Sequence, residues 1–328
     1  MSNKFLKKFF PPPSFLKVQW VGLEVSDEFA KLVQIKDGLH GLELGKYAEK
    51  AVPSGVIVSG QIADKNKLIS ILKELRKISP TSYVNASLPE EKSFLFTAVV
   101  NFGTDDEIRR NIEYILEENV PIPPSETLFE FDIIGKSEKD ENKVLVSVTA
   151  MPSKVAEEYN DIFTQAGFKP YLLEVEGRPF SRSLIKRKDK RTFILVNFND
   201  RNVGLFLVSE NIIRFTSTVR LDRKEIPESY KTETGFDIKG YVKNEIEKVY
   251  AYWYGKDPNN KPIDEVVLAG KNASDGEFML MLRKTSKAKV RVADVWINVS
   301  EAKTFVPEIE YTESLKFATA IGLAIKGR

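Results

Sequence analysis

The sequence predicts an α/β protein of two lobes, each resting on a β-meander, with a small α+β module inserted into the first. Three observations lead there. The pattern strand, turn, strand, strand starts at Val18 and again at Thr192. A stretch of the first meander aligns without a gap on the second. The length, 328 residues, exceeds one typical domain and leaves each lobe room for its own core.

Composition narrows the functional classes. The apolar fraction of 42% and charged fraction of 29% are those of a folded globular protein. Lysine and arginine total 49 against 47 acids, a formal charge of +2, so no large field points toward nucleic acid. The absence of cysteine removes disulfides, thiolate catalysis and cysteine-bound zinc, and fits a reducing cytoplasm. The one histidine, His40 in KDGLHGLELG, reads as a solvated turn residue with no second imidazole for a histidine-rich metal site or a triad. No apolar run approaches the ~20 residues needed to span a bilayer, and no signal-peptide pattern is present. The expectation is a protein neither secreted nor integral to a membrane.

Residues 1–17 read as a flexible leader, because the three prolines of MSNKFLKKFFPPP stop any helix. Its Phe5, Leu6, Phe9 and Phe10 beside Lys4, Lys7 and Lys8 offer at most weak contact with an anionic membrane surface. The first lobe is placed at 18–80: the strands VQWVGLEV, FAKLVQI and GLELGKYAEK, then a helix with Leu68, Ile71, Leu72, Leu75 and Ile78 at helical spacing behind Asp64 as N-cap. The inserted module is placed at 81–170. It holds SYVNASL and SFLFTAVVNF, the acidic helix DDEIRRNIEYILEEN stopped at Val120-Pro121, strands near 127–134 and 143–150, and a helix from Pro152 to Ala166 ended by Gly167. The first lobe resumes at 171–190, where Lys186 to Arg191 reads as an exposed linker. The second lobe takes 191–311 with TFILVNFN, NVGLFLVS and NIIRFTSTVRL. A closing helix at 312–328, lined by Ala318, Ala320, Gly322 and Ala324, returns to the first lobe.

Setting VGLEVSDEFAKLVQI (21–35) over ILVNFNDRNVGLFLV (194–208) puts apolar on apolar and turn on turn. Glu24 then faces Asn197, Ser26 faces Asn199, and Asp27 faces Asp200. A repeated unit with a polar turn at the same place suggests related lobes whose turns meet across a cleft. Adjacent acids elsewhere, Asp105 with Asp106 and Glu117 with Glu118, mark a helix start and a solvated face rather than a catalytic pair.

The chain resembles the type IV pilus assembly protein PilM family of the actin-like superfold. The blocks that carry the resemblance run from FFPPPSFLKVQWVGLEVSDEFAKLVQI through VPSGVIVSGQIADKNKLISILKEL, SLPEEKSFLF, EYILEENVPIPPSETLFEFDII and VSVTAMPSKVAEEYNDIFTQAGFKPYLLEVEG to FTSTVRL, VVLAGKNAS and ESLKFATAIGLAIKG. It implies an actin-like, ribonuclease H-like fold of two lobes. The inserted module would be of the SHS2 type shared with the cell-division protein FtsA. Fewer than twenty residues separate RFTSTVRL from GYVKNEIEKVYAYWYG, so the outer subdomain of the second lobe is expected to be reduced.

The resemblance makes the two repeated turns phosphate loops, and here they depart from the family pattern. The first reads GLEVSDEFAK: Gly22 and Lys31 remain, Glu24 replaces aspartate, Ser26 replaces glycine, and Asp27 and Glu28 stand where small hydroxyl residues belong. The second reads NFNDRNVG, with Asn197 for aspartate and Asn199 for glycine. The adenosine segment keeps Gly270 but carries Lys271 and Asn272 after it. Two unit charges about 4 Å apart repel by about 4 kcal/mol at an effective dielectric near 20, enough to cancel most of a micromolar affinity for a polyphosphate. Weak binding of ATP and Mg²⁺ is the most these positions support; no cofactor, catalytic residue or metal-ligand set is expected.

The function implied is a cytoplasmic scaffold at the inner face of the inner membrane. Its partner would be the N-terminal tail of a PilN-type bitopic protein, held between the first lobe and the inserted module. Pilus motor ATPases, the platform protein and further copies of the chain are additional partners under this reading. Two alternatives stay open: a nucleotide-switched ATPase of pilus assembly, which the altered loops disfavour, and an FtsA-like membrane adaptor, which a chain ending at AIGLAIKGR without an amphipathic helix disfavours.

Overall fold

The structure is a computed structural model and describes residues 19–38, 41–137, 140–256, 260–299 and 307–327. The leader and His40 lie outside the described residues. In chain order the strands are β1 (Val21–Val25), β2 (Phe29–Gly38), β3 (Gly41–Ala51), β4 (Ile57–Val58), β5 (Gln61–Ile62), β6 (Tyr83–Leu88), β7 (Phe94–Asn101), β8 (Thr127–Lys136), β9 (Lys143–Pro152), β10 (Lys169–Val175), β11 (Thr192–Phe198), β12 (Asn202–Ser209), β13 (Ile212–Arg220), β14 (Lys231–Thr232), β15 (Gly235–Phe236), β16 (Glu265–Ala269) and β17 (Lys289–Val292). The helices are α1 (Lys65–Ile78), α2 (Asp105–Asn119), α3 (Ser153–Gln165), α4 (Gly177–Leu184), α5 (Ile238–Lys256), α6 (Gly276–Thr285), α7 (Tyr311–Ser314) and α8 (Ala318–Ala324).

Two five-stranded sheets share one topology. The first runs β3-β2-β1-β6-β10 and the second β13-β12-β11-β16-β17, each an antiparallel meander followed by two parallel strands. The repeat holds at the level of register. Glu24 faces Lys31 as Asn197 faces Gly204, and Val25 faces Ala30 as Phe198 faces Val203. Both turns close by the same bond: Ser26 N–H donates to Phe29 O at 2.9 Å, and Asn199 N–H to Asn202 O at 3.0 Å. Strands buried on both faces, such as TFILVNF in β11, are near-continuously apolar, as parallel neighbours demand.

Local signals set the helix ends. Asp64 Oδ1 accepts the Lys67 N–H at 2.9 Å, the expected N-cap, worth roughly 1 kcal/mol. Thr104 and Glu107 form a reciprocal capping box at the start of α2.

The insertion is smaller than 81–170. A separate three-stranded sheet, β7-β9-β8, packs its own apolar cluster with α2, so the module is 94–152. Strands β6 and β10 pair in parallel within the first sheet, and Tyr159, Ile162 and Phe163 of α3 join the first-lobe core. The strand-rich run from 83 to 101 belongs to two sheets, a division that only long-range pairing reveals. The closing helix is also broken, into α7, a 3₁₀ turn over Leu315–Phe317 and α8. Residues 221–237 hold one 3₁₀ turn and the β14–β15 hairpin.

The helices that follow the sheets cross over. α8 packs on β1 so closely that a Cβ on Gly22 would stand 1.9 Å from Ala320 O. α4, after the first sheet, sits against the second, where Gly177 meets Phe206 and Ile213. Glycine at 322 lets α8 approach α4, since a Cβ there would meet Pro179 O at 1.8 Å.

Candidate functional site

The two repeated turns come together between the lobes, and they bring six of the eight positions singled out from sequence near one another: Glu24, Ser26, Asp27, Asn197, Asn199 and Gly270. Gly22 is taken up by its contact with α8, and Lys31 by an ion pair. Lys31 Nζ lies 3.1 Å from Glu24 Oε1, both side chains almost wholly buried. Lys31 is therefore committed inside the protein rather than offered to a ligand. Burial pushes the Glu24 carboxyl up, and Lys31 opposes this.

The remaining positions bond within the protein. Ser26 Oγ caps its own turn through the Phe29 amide at 3.2 Å. Asp27 accepts the N–H groups of Ser59, at 2.7 Å, and Gly60, at 3.2 Å, which steadies a turn where both residues have positive φ. Asn197 Nδ2 donates to Glu176 Oε1 at 2.8 Å, and Asn199 Nδ2 to Asn197 Oδ1 at 3.1 Å. Lys271 N–H donates to Asn199 Oδ1 at 3.1 Å, while its ammonium pairs with Asp200. Gly270, at φ +92°, is needed for conformation and for space: a Cβ would stand 2.7 Å from both Asn197 Oδ1 and Phe198 O.

The space left between the loops is about 20 Å³, bordered by Glu24, Asp27, Glu91, Glu176, Asn197 and Asn199. That is room for about one water, against the ~300–1,000 Å³ of ordinary small-molecule pockets. The carboxylates crowd one another. Burial first, then the charges of Glu24, Glu91 and Glu90, push Glu176 up to about 8. Burial chiefly pushes Glu91 up to about 7. Glu90, buried beside them, is raised by burial while its Oε2 accepts the Gly177 N–H at 2.9 Å. Among the described residues no group of three or more histidine or acidic side chains is arranged to hold a metal ion.

A second concavity lies elsewhere. A groove of about 480 Å³ runs between β10, an edge of the first sheet, and β8, an edge of the inserted sheet. Leu88, Met151, Leu173 and Val175 form apolar floor and wall, and Arg109 and Arg178 stand at the rim. Arg178 pairs with Glu130 at 3.3 Å and Asp132 at 2.8 Å, and Arg109 lies 4.9 Å over the Phe129 ring. No sequence motif marks the groove, because its side chains come from five separate segments. Glu90, Glu91 and Glu176 were missed for the same reason.

Comparison with known proteins decides the family. The family model described as type IV pilus assembly protein PilM matches residues 22–215. The chain belongs to the PilM family. A chain in a solved PilM–PilN type IV pilus biogenesis complex is 20% identical, with a TM-score of 0.77, over 94% of this chain and 98% of that one. With the paired sheet topology, this makes the fold that of the actin-like ATPases. More distant matches are the ethanolamine utilization protein EutJ from Carboxydothermus hydrogenoformans and the cytoplasmic domain of EpsL, an inner membrane component of the type II secretion system of Vibrio cholerae. The first is 15% identical over 97% of this chain and 91% of that one, with a TM-score of 0.48. The second is 9% identical over 93% and 95%, with a TM-score of 0.47. No helix among the described residues of this PilM-family chain is long and apolar enough to cross a membrane, which says nothing of β-barrels.

Proposed function

We propose that this PilM-family chain is a scaffold of the type IV pilus inner-membrane platform, lying at the cytoplasmic face and holding the N-terminal tail of a PilN-type membrane protein without hydrolysing ATP. The observation that carries this reading is the contrast between two concavities: about 480 Å³ of apolar groove between two sheet edges, and about 20 Å³ between the loops. Sheet edges present free backbone donors and acceptors to an extended segment, and apolar pockets beside them select its side chains. The solved PilM–PilN complex, in which a similar chain is paired with PilN, supports the choice of partner. Motor ATPases, the platform protein and further copies of the chain remain part of the proposed assembly.

Two titrations test this. A synthetic N-terminal tail of the PilN-type protein from the same genome is expected to bind the full chain, equally with and without ATP and Mg²⁺. Leu173→Asp, which puts a charge on the groove floor, is expected to abolish binding while circular dichroism stays unchanged. Calorimetry with ATP and Mg²⁺ alone is expected to give no heat. Micromolar ATP binding would revive the nucleotide switch, and tail binding unaffected by Leu173→Asp would move the partner to another face.

A further inference from the structure

The two turns do more than face each other. Glu28, at the end of the first turn and 5% exposed, has its Oε1 2.7 Å from the backbone nitrogen of Arg201, in the tip of the second, and accepts that N–H. Arg201 answers with its guanidinium, which donates to Asp27 O at 3.0 Å and more loosely to Val52 O at 3.5 Å. Glu28 itself is fixed, since its carbonyl accepts the Val52 N–H at 2.8 Å. Glu28 and Arg201 are 173 residues apart, the same offset that superposes Glu24 on Asn197 and Ser26 on Asn199. The bond therefore joins equivalent positions of the repeat, where the two lobes meet on their approximate two-fold relation.

A backbone N–H at the tip of a turn, held beside a guanidinium, offers a donor to an oxyanion. Here a carboxylate of the chain already occupies it. We propose that Glu28 is a tethered anion that fills the donor site of the second-lobe turn, clamps the two lobes together and keeps that site closed to free oxyanions. Lobe closure is then a property of the covalent chain and needs no ligand to bridge the turns. The clamp does not depend on tail capture, because it is defined and tested in the chain alone; its failure would leave the groove untouched.

Hydrogen exchange on the full chain tests it. In Glu28→Ala, exchange in residues 199–203 and in the 52–60 segment that Arg201 and Asp27 anchor is expected to accelerate by roughly tenfold or more, the strength of a hydrogen bond to a charged group. The interior strands of the two five-stranded sheets and the three-stranded sheet are expected to keep their protection. Excess sodium acetate, a free carboxylate, is expected to restore protection where sodium chloride at equal ionic strength does not. Glu28→Gln, which keeps an acceptor oxygen and loses the charge, is expected to fall between wild type and Glu28→Ala. Unchanged exchange at 199–203 in Glu28→Ala would overturn the clamp. So would acceleration spread over all sheets and indifferent to acetate, or a Glu28→Gln variant indistinguishable from wild type, which would remove the role of the anion.

Discussion

The two hairpins at the centre of the molecule share register, turn closure and the order of their neighbouring strands, yet they are filled with different chemistry. In the first lobe β1 carries Gly22 and Glu24, and Lys31 stands opposite on β2; the second-lobe equivalents are Leu195, Asn197 and Gly204. The reason lies in what packs on each sheet. α8 presses its backbone against β1 and leaves no room for a side chain at 22, whereas Leu195 on the equivalent strand is a buried member of the apolar core. The ionisable groups divide the same way. Around the first turn Glu24, Glu28, Glu91 and Glu176 are raised, with burial the first cause in each. In the second lobe Asp200 and Glu265 are lowered, because hydrogen-bonded and charged partners outweigh their burial. Symmetry of backbone does not impose symmetry of function.

Exchanging residues between equivalent positions breaks the comparison most directly. Gly22→Leu, which copies Leu195 into the first lobe, is expected to cost more than about 3 kcal/mol, since the Cβ alone would collide with Ala320 O and backbone cannot yield as side chains do. Leu195→Ala, a cavity in the second lobe, should cost about 2–5 kcal/mol. Urea denaturation followed by circular dichroism measures both, and a mild Gly22→Leu would show that α8 can slide.

Next in size is the buried pair. Lys31→Met strips the buried Glu24 carboxyl of its partner, and is expected to lose about 3–5 kcal/mol near neutral pH. The double variant Glu24→Gln, Lys31→Met should recover much of that loss, because burying an unpartnered carboxyl rather than losing the contact carries the cost. Equal losses in the single and double variants would point to packing instead.

The acid cluster sharpens the comparison through pH. Glu91 and Glu176, raised from an ordinary 4.5 to about 7 and about 8, hold protons in the folded state that the unfolded chain releases at lower pH. Their contribution is complete below about 4.5 and is lost as pH rises through about 7 and then about 8. The melting temperature should therefore fall between about pH 4.5 and about pH 8, and Glu176→Gln should flatten that fall. A melting temperature level across this range would mean that the cluster is better solvated than its burial implies.

The smallest effects separate the two turn aspartates. Asp27→Ala frees the N–H groups of Ser59 and Gly60 and should cost about 1–2 kcal/mol. Asp200→Ala removes a half-exposed pair with Lys271 and should cost less than about 1 kcal/mol. Thermal melts of the two variants side by side rank them.

Much of this was written locally. Alternating apolar residues mark both meanders, Asp64 announces its helix, and the ungapped match of 21–35 on 194–208 anticipates the shared register, because each signal acts over a few residues. The family resemblance, read from ordered blocks along the chain, pointed to the fold and to the altered turns. The boundary expected at 81 shows the limit of local signals: β6 looks like any other strand until β1 and β10 accept it in parallel. Nothing local links Glu24, Glu91 and Glu176, which share a cavity.

Local patterning alone marks most strands and helices, the internal repeat, and the acids and amides carried by its two turns. Long-range packing set the rest: Lys31 is spent on Glu24, Glu28 reaches Arg201, and an apolar groove of about 480 Å³ opens between β8 and β10 where the turns leave about 20 Å³. The physical reason is range. Periodicity and capping are settled by neighbours a few residues away, whereas burial, charge pairing and cavity volume depend on which distant segments the packed sheets bring within a few ångströms of each other.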